Sequence, residues 1–235
     1  MGAIFKRELK AYFTSPIAYI FIAVFYLITA FYFVNMNLAG GSTDMSYVFS
    51  GVFVLMMILL PLLTMRLFAD EKKQKTDQCL LTAPVNLFGI VTGKFLAATV
   101  VFLAAMLIYI PYILVIVSLA GTIAWASVIG NLVGLLLLGC AFISIGIFVS
   151  SLTELQIVAA IGSIIINLVL YMLDVLASGV SFEYLRKAMV SVGFYNRYVE
   201  FTQGILNITS VVFFVSVIFI FNFFTVRVLE KRRWS

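Results

Sequence analysis

Residues 95–153, FLAATVVFLAAMLIYIPYILVIVSLAGTIAWASVIGNLVGLLLLGCAFISIGIFVSSLT, contain no Asp, Glu, Lys or Arg. A helix that crosses a membrane needs about 20 predominantly apolar residues, so this stretch is long enough for two. Gly121, Thr122 and Trp125 offer an uncharged hairpin between them. The expected spans are 94–118 and 126–149, with Pro111 kinking the first. The whole chain of 235 residues is 64% hydrophobic and 11% charged. Soluble globular domains are about 45–50% apolar and about 25% charged. The surplus apolar surface must face lipid.

Working outward from that stretch, the N-terminal side holds spans at 17–37 and 46–65, separated by a short polar loop with Gly40, Gly41 and Asp44. The apolar run at 17–37 is long and no small-x-small cleavage site follows it, so it reads as a retained span rather than a secretory signal. Residues 1–15, MGAIFKRELKAYFTS, place Phe5, Leu9, Tyr12 and Phe13 on one helical face and Lys6, Arg7 and Lys10 on another. That pattern predicts an amphipathic interfacial helix, stopped at Ser15-Pro16. On the C-terminal side, Ser150-Ser151-Leu152-Thr153-Glu154 is a brief polar turn before a span at 156–176. Residues 177–209 hold two short amphipathic pieces that are too polar to span, and the last span is 210–226. The fold class is therefore an all-α membrane protein with six transmembrane helices and short re-entrant helices before the last one.

Orientation follows from the 15 Lys and Arg residues. Twelve fall on the side that holds both termini, the 66–93 segment with Lys94, and the 150–155 turn; three (Arg186, Lys187 and Arg197) fall on the other. The positive-inside rule then puts both termini in the cytoplasm and 177–209 outside. The net charge of +5 is spent on these flanking clusters, not on a continuous stripe for nucleic acid.

The chain has no His and two Cys, Cys79 and Cys140. This excludes imidazole-ligated haem and Ser-His-Asp triads, and the cysteine spacing fits no zinc site. No Gly-rich phosphate loop ending in Lys-Ser/Thr is present, so any ATP is bound by another chain. No catalytic or metal-binding set stands out. Within the spans, Asn167 and Asp174 are the candidate residues of a substrate path, because polar groups in a membrane call for a functional explanation. The bland alternatives are a helix-linking Asn167 and a solvated Asp174 near the interface.

The segment RLFADEKKQKTDQCLLTAPVNLFGIVTGKF, residues 66–95, carries the densest charge. Its polar part, from Asp70 and Glu71 to Gln78, is expected to extend the second span as a helix. Leu80-Leu81-Thr82-Ala83-Pro84 then forms a small apolar tip suited to docking on another protein.

Here the sequence resembles the permeases of the ABC-2 type (type V) exporters. Arg66, Glu71, Lys72, Lys73, Thr76, Leu80, Leu81, Thr82, Pro84, Gly93 and Lys94 stand in the order of that family's first cytoplasmic loop. FKRELKAYFTSPIAY (5–19) resembles its amphipathic connecting helix, and SSLTELQIVAA (150–160) its turn between the fourth and fifth spans. Two positions depart from the pattern: Lys75 stands where Gly is usual, and Gln78 where an acid is common. The chain looks closest to the short permeases associated with gliding motility. The resemblance implies a bacterial inner-membrane exporter subunit that pairs with a second copy or a related permease. It also implies two ATPase subunits that bind ATP and Mg, and an extracellular auxiliary subunit as a further partner. By the same resemblance, Glu71, Lys72, Lys73, Thr76, Leu80, Leu81, Thr82 and Pro84 receive the ATPase motion, together with Ser151, Thr153 and Glu154 in the second turn. Two other readings remain open on the sequence: a non-transporting assembly or scaffold subunit, and an intramembrane enzyme.

Overall fold

The computed structural model describes residues 2–76, 86–120, 124–177, 179 and 182–233. Among them every regular element is helical, as lipid demands of segments that must satisfy their own backbone groups. Six helices are long and apolar enough to cross a membrane: Pro16–Ala39, Ser46–Lys73, Leu87–Leu119, Trp125–Leu152, Gln156–Ala177 and Ile208–Arg233. We number the elements α1 (Gly2–Thr14), α2 (Pro16–Phe33, continued as a π-helical turn over Val34–Ala39), α3 (Ser46–Thr64) and α4 (Arg66–Lys73). They continue as α5 (Leu87–Met106), α6 (Tyr109–Ala120), α7 (Trp125–Leu152), α8 (Gln156–Ala177), α9 (Glu183–Val192), α10 (Tyr195–Thr202) and α11 (Ile208–Arg233).

The axis of the bundle is α7, of whose apolar window 72% is buried, against 22% for α8 and for α11. It packs against α3, α5, α8, α10 and α11. Small residues let backbones approach in a membrane bundle. A Cβ on Gly146, for example, would lie 2.1 Å from the Thr64 hydroxyl of α3. The outward faces of α2, α6, α8 and α11 carry exposed residues such as Leu27, Leu114, Ile161 and Phe219, as expected where the neighbour is lipid.

Three boundaries differ from the sequence reading, each for a physical reason. The third span begins at Leu87 rather than 94. Asn86 caps it, its Oδ1 accepting from the Phe88 N–H at 3.0 Å, and the charge of Lys94 is accommodated inside the bundle. The second span runs on past 65 through α4, but the helix expected as far as Gln78 stops at Lys73. There the Lys75 N–H donates to the Lys72 carbonyl and the Thr76 N–H to the Glu71 carbonyl, at 3.0 and 2.9 Å. That is a Schellman closure, and it needs a left-handed residue at position 75. Lys75 occupies it with φ 56°. A Gly, the residue that the sequence resemblance led us to expect here, would adopt this conformation without strain. The last span extends to Arg233, where Lys231, Arg232 and Arg233 face the negative end of the helix dipole.

Pro111 breaks the third span one turn earlier than its own position. It has no N–H to give the carbonyl of Leu107, so that carbonyl accepts from Ile110 instead, at 3.1 Å. Met106 and Tyr109 therefore end and begin separate helices.

The amphipathic helix α1 packs against α5 and α2. Phe5 and Leu9 lie against the core and Tyr12 is fully buried, whereas Phe13 is 38% exposed. Phe13 therefore leaves the apolar face assigned to it, because α1 turns its Phe5–Leu9–Tyr12 side toward protein.

Candidate functional site

Lys94 is the starting point, because a buried cation must be paired to be tolerated. Its side chain is 1% exposed. The ammonium donates to Glu8 Oε1 at 3.1 Å and to the Leu67 carbonyl at 2.6 Å, and pairs with Glu71 Oε1 at 2.9 Å. An ammonium has three N–H donors, and all three have partners here. The Phe68 ring covers the same ammonium, 4.9 Å from its centroid. Arg7 Nη2 then bridges the two carboxylates, 2.6 Å from Glu8 Oε1 and 2.6 Å from Glu71 Oε1. Two cations and two anions from α1, α4 and α5 make one neutral cluster.

The electrostatics agree with the geometry. Burial by itself would raise the Glu8 carboxyl, but the Lys94 and Arg7 charges and hydrogen bonds outweigh it and hold Glu8 below its ordinary value. Beside the cluster, the Tyr12 hydroxyl donates to the Leu63 carbonyl at 2.9 Å, and burial pushes that phenol up. Arg66 lies over the Tyr12 ring at 4.4 Å and donates to Ser15 Oγ at 2.8 Å. These contacts fasten α1 to the joint between α3 and α4.

The 150–156 turn joins the same assembly. Ser150 Oγ accepts from the N–H groups of Phe68 and Ala69 at 3.1 and 3.2 Å and donates to the Met65 carbonyl at 2.8 Å. The hydroxyl from α7 thus sits in the break where α3 gives way to α4. Lys72 Nζ donates to the Ser151 carbonyl, and Gln156 Nε2 to Asp70 Oδ1. Glu154 meets Arg232 of α11 at 3.6 Å. Thr153 Oγ1 accepts from the Leu155 N–H at 3.2 Å. Lys73 borders a cleft of about 260 Å³ whose other walls are Leu155, Gln156 and Ile157.

Of the sequence-predicted residues, Glu71, Lys72, Ser151 and Glu154 are brought to this end of the bundle by named contacts, with Thr153 in the same turn. Lys73 is exposed on the cleft, and Thr76 Oγ1 donates to the Glu71 carbonyl at 3.3 Å. Leu80, Leu81, Thr82 and Pro84 lie outside the described residues. Reasoning from sequence missed Arg7, Glu8, Asp70, Ser150 and Gln156 as partners. One signal was available: Glu8 lies three residues after Phe5 and four before Tyr12, on the apolar side of its helix.

Midway along α8, Asn167 is fully buried and its Nδ2 donates to the Met57 carbonyl of α3 at 3.4 Å. Asp174 is not solvated as the interface reading supposed; it is 6% exposed. Its Oδ2 accepts from the N–H groups of Tyr195 and Asn196 at 2.7 and 3.4 Å, and its Oδ1 from Asn196 Nδ2 at 2.8 Å. The carboxylate therefore caps the N-terminus of α10, where a negative charge is favoured. Gly193 makes room for it: a Cβ there would lie 2.1 Å from Asp174 Oδ1.

Among the described residues no group of His, Cys, Asp and Glu is arranged to hold a metal ion. No curated protein matches the chain significantly. Residues 6–174 match the family described as ABC-2 family transporter protein. The match runs from α1 to near the end of α8, and so takes in every residue of the cluster around Lys94. With that match over most of its length, on six membrane-crossing helices, the chain belongs to the ABC-2 family of transporter proteins and is a multi-pass membrane permease.

Proposed function

We propose that this chain is the membrane-spanning subunit of an ATP-binding cassette exporter, energised by separate ATPase subunits that dock at the Lys94 end. In this reading both termini and the Lys94 cluster are cytoplasmic, in a bacterial inner membrane. Two ATPases bind ATP and Mg, and a second copy or a related permease completes the path, with an auxiliary subunit outside. The order of Arg66, Glu71, Lys72, Lys73, Thr76, Leu80, Leu81, Thr82, Pro84, Gly93 and Lys94 supports the exporter reading, and within that family our reading is of a permease of the gliding-motility-associated group.

The observation that carries the reading is the cluster of Arg7, Glu8, Glu71 and Lys94. Together with the Ser150 and Lys72 bonds, it makes α1, α4, the start of α5 and the 150–156 turn a single platform. A push on α4 reaches α7, the axis of the bundle, through groups already in contact. Of the two candidates Asn167 and Asp174, Asn167 keeps an acceptor, Oδ1, without a partner among the described residues, as Asn131 and Asn222 also do. It is the better candidate to meet substrate.

The test is Leu80→Asp. Burying Leu80 and Leu81 against a partner is worth about 3–6 kcal/mol at ~1.5–3 kcal/mol per side chain, whereas exposed ion pairs add about 0–1 kcal/mol each. The variant should insert normally yet lose the ATPase on co-purification. Full ATPase retention with normal transport would show that this segment is not the dock.

A further inference from the structure

Between residues 95 and 226 the chain has only three cationic side chains, Arg186, Lys187 and Arg197. All three line one cleft of about 500 Å³ at the end of the bundle opposite Lys94, formed by α9, α10 and the start of α11. We propose that this cleft binds a net-anionic phosphate ester, one whose phosphate charge is not offset by a cation of its own.

The cations are prepared for a ligand to different degrees. Arg197 is held in place: its Nη2 donates to the Ser191 carbonyl at 3.1 Å, and its guanidinium lies 4.2 Å from the centre of the Phe213 ring. Its Nε is buried and has no hydrogen-bond partner among the described residues, a rare condition that a ligand would relieve. Arg186 is exposed and forms no ion pair among the described residues. Lys187 pairs with Glu183 at 2.6 Å, but both side chains are largely exposed, so the pair yields readily to a stronger anion. Glu200 is the one acid among the described lining residues, and its Oε2 already accepts from Ser210 Oγ at 2.6 Å. Three cations against Glu200 in the lining and Glu183 at its rim leave the cleft one charge positive.

Guanidinium groups favour planar, two-point recognition of phosphate oxygens. Asn207 and Thr209 on the same wall add neutral side chains able to donate hydrogen bonds. The volume exceeds what a lone phosphate ion fills, so the group belongs to a larger molecule: a phospholipid headgroup or a soluble phosphate ester. The proposal needs only the membrane location of the chain, and is independent of the direction of transport and of any ATPase.

The test uses the full chain in nanodiscs of phosphatidylcholine, with and without phosphatidylglycerol. Native mass spectrometry counts retained lipid, and inorganic phosphate serves as the soluble probe. Wild-type protein should retain phosphatidylglycerol about tenfold over phosphatidylcholine, the effect of roughly one charge-assisted bond. Arg186→Gln, at an exposed side chain, should keep the fold and lose that preference, and Arg197→Gln should lose it too. Arg227→Gln, at the other end of the chain's charge distribution, should keep it. Displacement of the lipid by millimolar phosphate would assign the site to soluble esters; persistence would assign it to the headgroup. Equal retention of the two lipids with no response to phosphate overturns the proposal. So does a preference unchanged in Arg186→Gln, or one lost equally in Arg227→Gln.

Discussion

At the Lys94 end of the bundle, four charged side chains from three helices close on one another, whereas at the Asp174 end most of the closure is made by rings. Phe53 of α3 meets Tyr195 and Tyr198 of α10, each with centroids 5.4 Å apart, and Phe142 stacks on Phe194 at 5.8 Å. Tyr198 also donates to the Phe49 carbonyl at 2.9 Å. The difference lies in how each end fails. Rings share contact over many atoms and lose stability gradually, while a buried ion cluster depends on every member, because removing one leaves its partners charged without compensation. The ion cluster itself falls wholly inside the family match, 6–174, whereas α9, α10 and α11 fall outside it.

The sharpest way to break this comparison is Lys94→Ala. It leaves Glu8 and Glu71 facing each other with only Arg7 between them, and the loss should be about 3–5 kcal/mol. Thermal unfolding of the purified protein in detergent would show it. A fall of less than 1 kcal/mol would mean that the cluster is as forgiving as the aromatic end.

A second variant probes the polar exception at the Asp174 end. Asp174→Asn keeps the size but removes the negative charge from the N-terminus of α10, at a cost of about 1 kcal/mol. Hydrogen exchange should quicken over 195–202 while the Lys94 end stays protected. If exchange quickens at both ends alike, the two regions are one cooperative unit and the contrast dissolves.

The smallest effect is a gain. Lys75→Gly removes the left-handed strain at the close of α4 and should stabilise the protein by roughly 1 kcal/mol, read as a raised unfolding midpoint. An unchanged or lowered midpoint would show that the Lys75 side chain contributes more than its backbone costs.

Much of this architecture was legible in the sequence. Spans of lipid-facing helix announce themselves by length and lack of charge, and the uncharged 95–153 stretch could hold little else. The ends of the helices were less legible, because a charged residue was taken as a boundary. Lys94 looks like the edge of a span when read locally. Its partners, Glu8 and Glu71, lie 86 and 23 positions away, and only the packing of α1 against α5 brings Glu8 to it. Asp174 presents the same difficulty. Its role depends on the turn at Gly193 returning α10 to the end of α8, which no periodicity encodes. The Gly-to-Lys departure at position 75 was visible, but its meaning required the dihedral angle.

The hydroxyl of Ser150, lodged in the break between α3 and α4, has a mechanical consequence. A bent rod whose bend is empty swivels freely about the joint. Here one side chain from the neighbouring rod grips both arms, through the Met65 carbonyl on one and the Phe68 and Ala69 amides on the other. The joint is keyed: α4 cannot rotate about its axis without either breaking three hydrogen bonds or dragging α7 along. A torque applied to the short arm is delivered as displacement of the central shaft, and Ser150→Ala would turn that rigid gear into a loose pivot.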